Sequence, residues 1–127
     1  QVTKFAIGDH IGVGCMTGSC LSDPDTSEDE ICEQCAAGHE NFCVGSGTLW
    51  TYGDDRDGNP TAGGYSQTFI VDERFGLKIP DSIPLDTAAP LLCAGITTYS
   101  PLKRWGAGPG KRVAVVGMGG LGHMGVQ

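Results

Sequence analysis

Arg112-Val113-Ala114-Val115-Val116-Gly117-Met118-Gly119-Gly120-Leu121-Gly122 is the stretch that decides the fold. Positions 113–116 are apolar on successive residues and bounded by glycine-rich turns, the pattern of a strand buried on both faces of a parallel sheet. Gly117, Gly119 and Gly122 then fall in G-x-G-x-x-G spacing at the start of an amphipathic segment. Each glycine has a mechanical reason. Gly117 permits the tight turn out of the strand, Gly119 lets backbone approach a pyrophosphate, and Gly122 lets the helix pack closely on the sheet, its first N–H groups facing the anion. A glycine-rich turn without a ligand is the alternative. The residue that sorts NAD from NADP lies about 20 positions further on, past Gln127.

Working back from this loop, 106–111 (GAGPGK) reads as a turn, and 87–105 (TAAPLLCAGITTYSPLKRW) is apolar at helical spacing through Leu91, Leu92, Ile96, Tyr99 and Leu102. Pro90 and Pro101 are expected to limit or kink that helix. Positions 66–73 and 75–80 are rich enough in β-branched and aromatic residues to predict two strands with a bend at Glu73-Arg74. Positions 16–63 read as mostly loop, with a turn-rich stretch over 52–64, and 5–15 as a short strand pair around Gly8-Asp9. The fold class is therefore α/β with a β-rich part.

The composition agrees with a turn-rich chain: 21 of 127 residues are glycine, where soluble domains average about 7%. Eight basic against fifteen acidic residues leave a net charge of −7, which argues against a nucleic-acid partner or an anionic membrane surface. No apolar run reaches the ~18 residues of a membrane span. The start, QVTKFAIGDH, has neither an initiating Met nor the apolar core of a signal peptide, so the expectation is a piece of a longer protein, acting in the cytoplasm. The acidic run Asp23, Asp25, Glu28, Asp29 and Glu30 reads as a solvated loop, since it lacks the alternating carboxylates and central glycine of a calcium loop.

Six cysteines occur, at 15, 20, 32, 35, 43 and 93. Cys32-x2-Cys35-x7-Cys43 has metal spacing: two thiolates from one tight knuckle and a third returning after a turn. Structural zinc needs a fourth ligand, for which Cys20 and Cys15 are candidates; free thiols and disulfides are the alternatives.

Taken in order, GVGC-x4-C, C-x2-C-x7-C, GGYSQ, PLLCAGITTYSPL and VVGMGGLGHMG resemble the zinc-dependent medium-chain alcohol dehydrogenases, and among them the cinnamyl-alcohol-dehydrogenase-type, NADP-linked aldehyde reductases. The resemblance implies a partial GroES-like catalytic domain over 1–95, with a structural-zinc lobe at about 20–43, then the first βα unit of a Rossmann domain over 96–127. It implies Cys20, Cys32, Cys35 and Cys43 as structural-zinc ligands, Cys93 as a catalytic-zinc ligand and Thr97 near the nicotinamide. The cofactor loop would be Gly117, Met118, Gly119, Gly120, Leu121 and Gly122, and Cys15 is not a ligand.

Two departures stand out. The family spaces its first two lobe cysteines by two residues, whereas eleven separate Cys20 from Cys32. Closing the longer loop costs roughly 1.5 kcal/mol, small against the roughly 10–16 kcal/mol of structural zinc binding in peptides. The family's other catalytic-zinc ligands, a cysteine and a Gly-His-Glu motif, lie upstream of Gln1. Gly38-His39-Glu40 mimics the second but sits inside the Cys35–Cys43 spacer. His10 reads as an exposed turn residue, and His123 as packing or capping the helix start.

The expected activity of the whole protein is hydride transfer between NADP(H), in preference to NAD(H), and a small primary alcohol or aldehyde, with catalytic and structural Zn2+, in a homodimer; the 127 residues alone are expected to be inactive. The alternatives are an NAD-linked polyol or formaldehyde dehydrogenase of the same superfamily, and a non-catalytic zinc-stabilised binding module.

Overall fold

The computed structural model describes residues 2–56 and 58–127 and divides into two units, Gln1–Lys78 and Ile79–Gln127. In the first, β1 (Ile11–Val13) runs antiparallel to β6 (Gly76–Lys78) in the register Ile11↔Lys78, Val13↔Gly76. β2 (Met16–Gly18) pairs with β3 (Leu49–Trp50), and β4 (Tyr52–Arg56) with β5 (Asn59–Ala62). The chain between β2 and β3 holds helix α1 (Glu33–Ala36) and two single 3-10 turns, Glu28–Glu30 and Glu40–Phe42.

Three features of this unit correct the sequence reading. β1 pairs across the unit with β6, not with residues 5–7; the Gly8 turn is instead closed locally, with Ala6 N donating to Asp9 Oδ2 at 3.0 Å. The turn-rich stretch contains the β4–β5 hairpin, turning at Gly58 (φ +79°), an Asp-Gly signal that outweighed the Gly and Pro around it; its Asp57 lies outside the described residues. Residues 66–72 form no ladder with any described residue, and Ile70 is 85% exposed. Only Gly76–Lys78 of the predicted pair is a strand, with the bend a 3-10 turn over Glu73–Phe75.

The buried centre of this unit is small and sulfur-rich. Cys20 and Cys35 are buried with Thr17, Ser19 and Thr51, and among the unit's described residues no large aliphatic side chain is as deeply buried.

In the second unit, α2 (Leu85–Pro90) runs into a π-helical turn (Leu91–Gly95) and on into α3 (Ile96–Arg104). The predicted helix is thus present, and Pro90 marks where its pitch changes. Proline offers no N–H to the α ladder, and just after it the Ile96 N–H reaches five residues back to the Leu91 carbonyl. The helix ends in a Schellman motif: Gly106 N donates to Lys103 O (3.1 Å) and Ala107 N to Leu102 O (2.8 Å), with Gly106 at φ +64°. α4 (Gly120–Val126) packs on α3 and the π turn through small residues. A Cβ on Gly95 would stand 3.5 Å from Met124 Cε, and one on Gly125 3.6 Å from Thr98 Cγ2. Residues 112–117 do not form the predicted strand, because a strand needs a hydrogen-bonded neighbour and none pairs with it among the described residues; Val116 is 98% exposed. No helix among the described residues is long and apolar enough to cross a membrane.

Candidate metal centre and cofactor loop

Cys20, Cys32, Cys35 and Cys43 converge in the first unit, their sulfurs all within 4.8 Å of one another. Cys20 Sγ lies 3.7 Å from Cys32 Sγ, and Cys32 Sγ 4.0 Å from Cys43 Sγ. Four sulfurs at 2.3 Å from a tetrahedral centre stand about 3.8 Å apart, so the donor set fits a zinc ion in number, chemistry and spacing. Of the sequence candidates for fourth ligand, Cys20 is in the cluster and Cys15 is not.

Local structure explains how the four arrive. Cys32 is the N-cap residue of α1 and Cys35 lies within that one-turn helix, so the x2 knuckle is a helix start. α1 then stops abruptly: Gly38 N donates to Cys35 O (3.0 Å) and His39 N to Gln34 O (2.8 Å), with Gly38 at φ +76°. Gly38-His39 is therefore a helix terminator, and His39 is not among the converging ligand atoms. That stop turns the chain back to Cys43. Beyond it Gly45 lies on the cluster, where a Cβ would meet Cys20 Cβ at 3.0 Å and Cys20 Sγ at 3.2 Å.

Backbone amides prepare the sulfurs for a cation. Cys20 N donates to Cys43 Sγ and Cys32 N to Cys20 Sγ, both at 3.4 Å. The backbone N–H groups of Val44 and Cys35 bring the Cys32 thiol down to about 6, so it is mostly thiolate at neutral pH. Burial pushes the Cys35 thiol far up, with sulfur neighbours adding to it. Cys43 is lowered like Cys32 and Cys20 is raised like Cys35, so the four crowded sulfurs share their charge unequally.

The second unit holds the other predicted residues. Cys93 is exposed on the π turn. Thr97 follows about one helical turn later and lines a cavity of about 320 Å³ with Val113, Val115, Val116, Leu121 and Gly122. Thr98, which the sequence did not single out, donates to both Ala94 O and Gly95 O at 3.0 Å and bridges the end of the π turn; a threonine hydroxyl within reach of the carbonyls three and four residues back was the available signal.

Along the glycine loop, Gly117 takes φ +90°. A Cβ on Gly122 would run into the Gly117 carbonyl oxygen, whereas one on Gly119 or Gly120 would meet nothing within 4 Å. Met118 is exposed at the loop's tip, and Leu121 opens α4 after Gly120. His123 N donates to Gly119 O at 2.9 Å, and its ring stands 3.3 Å from the Gln127 side-chain amide, so it serves the helix rather than the loop.

Comparison with known proteins places these features. The chain is 57% identical over 128 residues to NADP-dependent alcohol dehydrogenase C 1 of Mycolicibacterium smegmatis, matching all of this chain and 34% of that protein. It is 54% identical to a probable formaldehyde dehydrogenase of Bacillus subtilis, with the same coverage. It superposes on solved cinnamyl alcohol dehydrogenases of Sorghum bicolor with a TM-score of 0.81 and 44% identity, over 98% of this chain and 33% of that one. The chain thus spans about a third of the length of the curated relatives it matches. The model of the alcohol dehydrogenase GroES-like domain matches residues 1–81, and the chain therefore belongs to that family.

Proposed function

We propose that the protein carrying this chain is a zinc-dependent, NADP(H)-linked alcohol dehydrogenase or aldehyde reductase acting on a small primary alcohol or aldehyde. The observation that carries the reading is the four-sulfur cluster, assembled at zinc spacing in a chain 57% identical to an NADP-dependent alcohol dehydrogenase.

In this reading Cys20, Cys32, Cys35 and Cys43 hold a closed structural zinc. Cys93 contributes one thiolate to a catalytic zinc, whose remaining protein ligands come from outside these residues. A zinc there supplies Lewis-acid polarisation of the substrate oxygen. The chain's own work is to place groups. The π turn presents Cys93 on its outer surface, and Thr97 about a turn later faces the nicotinamide end of the cofactor. The glycine loop, Gly117 to Gly122, brings backbone N–H groups to the pyrophosphate, the open side at Gly119 leaving room for it. Residues 1–95 belong to the catalytic domain and 96–127 begin the cofactor domain. The thiols require a reducing compartment, so the enzyme works in the cytoplasm, as a homodimer. The test is hydride transfer by the full gene product, with NADPH and NADH against a panel of aldehydes. Zinc-dependent turnover favouring NADPH supports the proposal; tight zinc binding without turnover replaces it with a binding module.

A formaldehyde dehydrogenase is the second reading, favoured by the 54% identical Bacillus relative. The same panel separates the two, since formaldehyde then outcompetes the larger aldehydes.

A further inference from the structure

The eleven residues between Cys20 and Cys32 are not slack chain. Ser22 N and Asp23 N both donate to Ser19 O, at 2.9 and 3.2 Å, closing a turn around Cys20. Asp23 then organises the next turn: Oδ1 accepts from Asp25 N at 3.1 Å, Oδ2 from Thr26 Oγ1 at 3.1 Å, and its carbonyl from Thr26 N at 3.2 Å. Ser27 and Glu30 close the last turn before Cys32, with Ser27 N 3.0 Å from Glu30 Oε2. The middle of the segment is latched to the chain that leaves Cys43. Thr26 Oγ1 shares a 2.8 Å hydrogen bond with Ser46 Oγ, and Gly47 lies so close that a Cβ there would sit 2.5 Å from Asp23 Cβ.

Two of the four sulfurs thus arrive from either end of the segment, and a third from the chain it is latched to. We propose that Asp23 and Thr26 are positioning residues for the metal centre, forming with Ser46 a latch that holds Cys20, Cys32 and Cys43 in register and sets how slowly zinc leaves. This rests on the zinc reading above. A flexible eleven-residue tether would let Cys20 swing off the metal first, since a thiolate that leaves must find its way back through a larger loop. The latch removes that freedom at its midpoint.

The test uses the full gene product in a Cys93→Ser background, so that the zinc counted belongs to the four-cysteine site. Zinc release is followed with an excess of a metallochromic chelator. Thr26→Val removes both hydroxyl bonds, the part-buried one to Asp23 and the exposed one to Ser46, and is expected to speed release about tenfold. Thr26→Ser is expected to restore the parent rate to within about twofold, because it keeps the oxygen. Ser46→Ala, an exposed position, is expected to give an intermediate rate. Thermal unfolding of the metal-free variants should match the parent. Parent-like release from both Thr26→Val and Ser46→Ala overturns the proposal, as does equal loss of stability with and without metal. Absence of zinc from the parent, or its retention in Cys35→Ser, overturns the zinc reading instead.

Discussion

Lys78 Nζ donates to Asp9 Oδ1 at 2.7 Å, joining the turn before β1 to the last residue of β6. The Asp9 carboxyl is held below the usual carboxylate range first by the Ala6 N–H and then by this lysine. Glu73 is held low in the same way, by the N–H groups of Lys4 and Thr3, each 2.8 Å from Oε2. A folded-state value below the unfolded one means that both contributions are present above the ordinary carboxylate pKa. They are lost as the pH falls through the folded values. Carbon-detected NMR titration should find both carboxyls titrating below the same groups in the unfolded chain. Lys78→Met should raise Asp9 only part of the way, because the Ala6 amide remains; a full return to the ordinary value would contradict this order of causes.

Metal content separates the two cysteine sets. The full gene product should carry about two zinc ions per chain. Cys35→Ser should leave about one, and Cys93→Ser about one with no turnover. Uptake at the four-cysteine site should release protons and weaken as the pH falls, since the buried Cys35 thiol must ionise to bind. Elemental analysis and proton release in weakly buffered solution measure both.

The two ends of the glycine loop should respond differently to added bulk. Gly122→Ala drives a methyl into the Gly117 carbonyl and should cost roughly 1–3 kcal/mol of stability. Gly119→Val faces open space, so folding and zinc content should hold while KM for the cofactor rises by about tenfold or more, a loss of ~1.4 kcal/mol. Cofactor kinetics that ignore Gly119→Val would make the loop only a turn.

Cofactor preference follows from the same reading. NADPH should exceed NADH in kcat/KM by about tenfold or more, because an acidic residue facing the ribose, which would favour NAD, is not expected. A preference for NADH sinks the assignment.

Local chemistry was legible in the sequence where a residue's own geometry dictates the outcome. Gly117 at φ +90° and Gly122 against a carbonyl follow from glycine's missing side chain, and the Cys32–Cys35 knuckle from two residues per short helical turn. Pairing was not legible where it depends on distant chain. Ile11 meets Lys78 across 67 positions, and nothing in residues 5–15 names that partner. At 113–116 and 66–72 the composition predicts strands, but ladders come from neighbours, and none pairs with either stretch among the described residues. The latch between Thr26 and Ser46 was hidden for a third reason: an acidic stretch without apolar periodicity reads as solvated, and nothing in it shows that Asp23 holds Thr26 or that Thr26 reaches Ser46, 20 positions on.

The π turn at Leu91–Gly95 also carries a constraint on chain length. It accommodates one residue more than an α turn would take, and each residue advances an α-helix by about 100°. Deleting one of the five therefore returns the turn to regular α and leaves the residues beyond it in phase, whereas the same deletion within α3 swings everything beyond it by that angle. In the first case Thr98 would keep its place against Gly125 and Thr97 its place beside Val115. The wide turn is thus a place where one residue can be lost with the helix still in phase with its neighbours, and within α3 the count of residues, more than their identity, holds that phase.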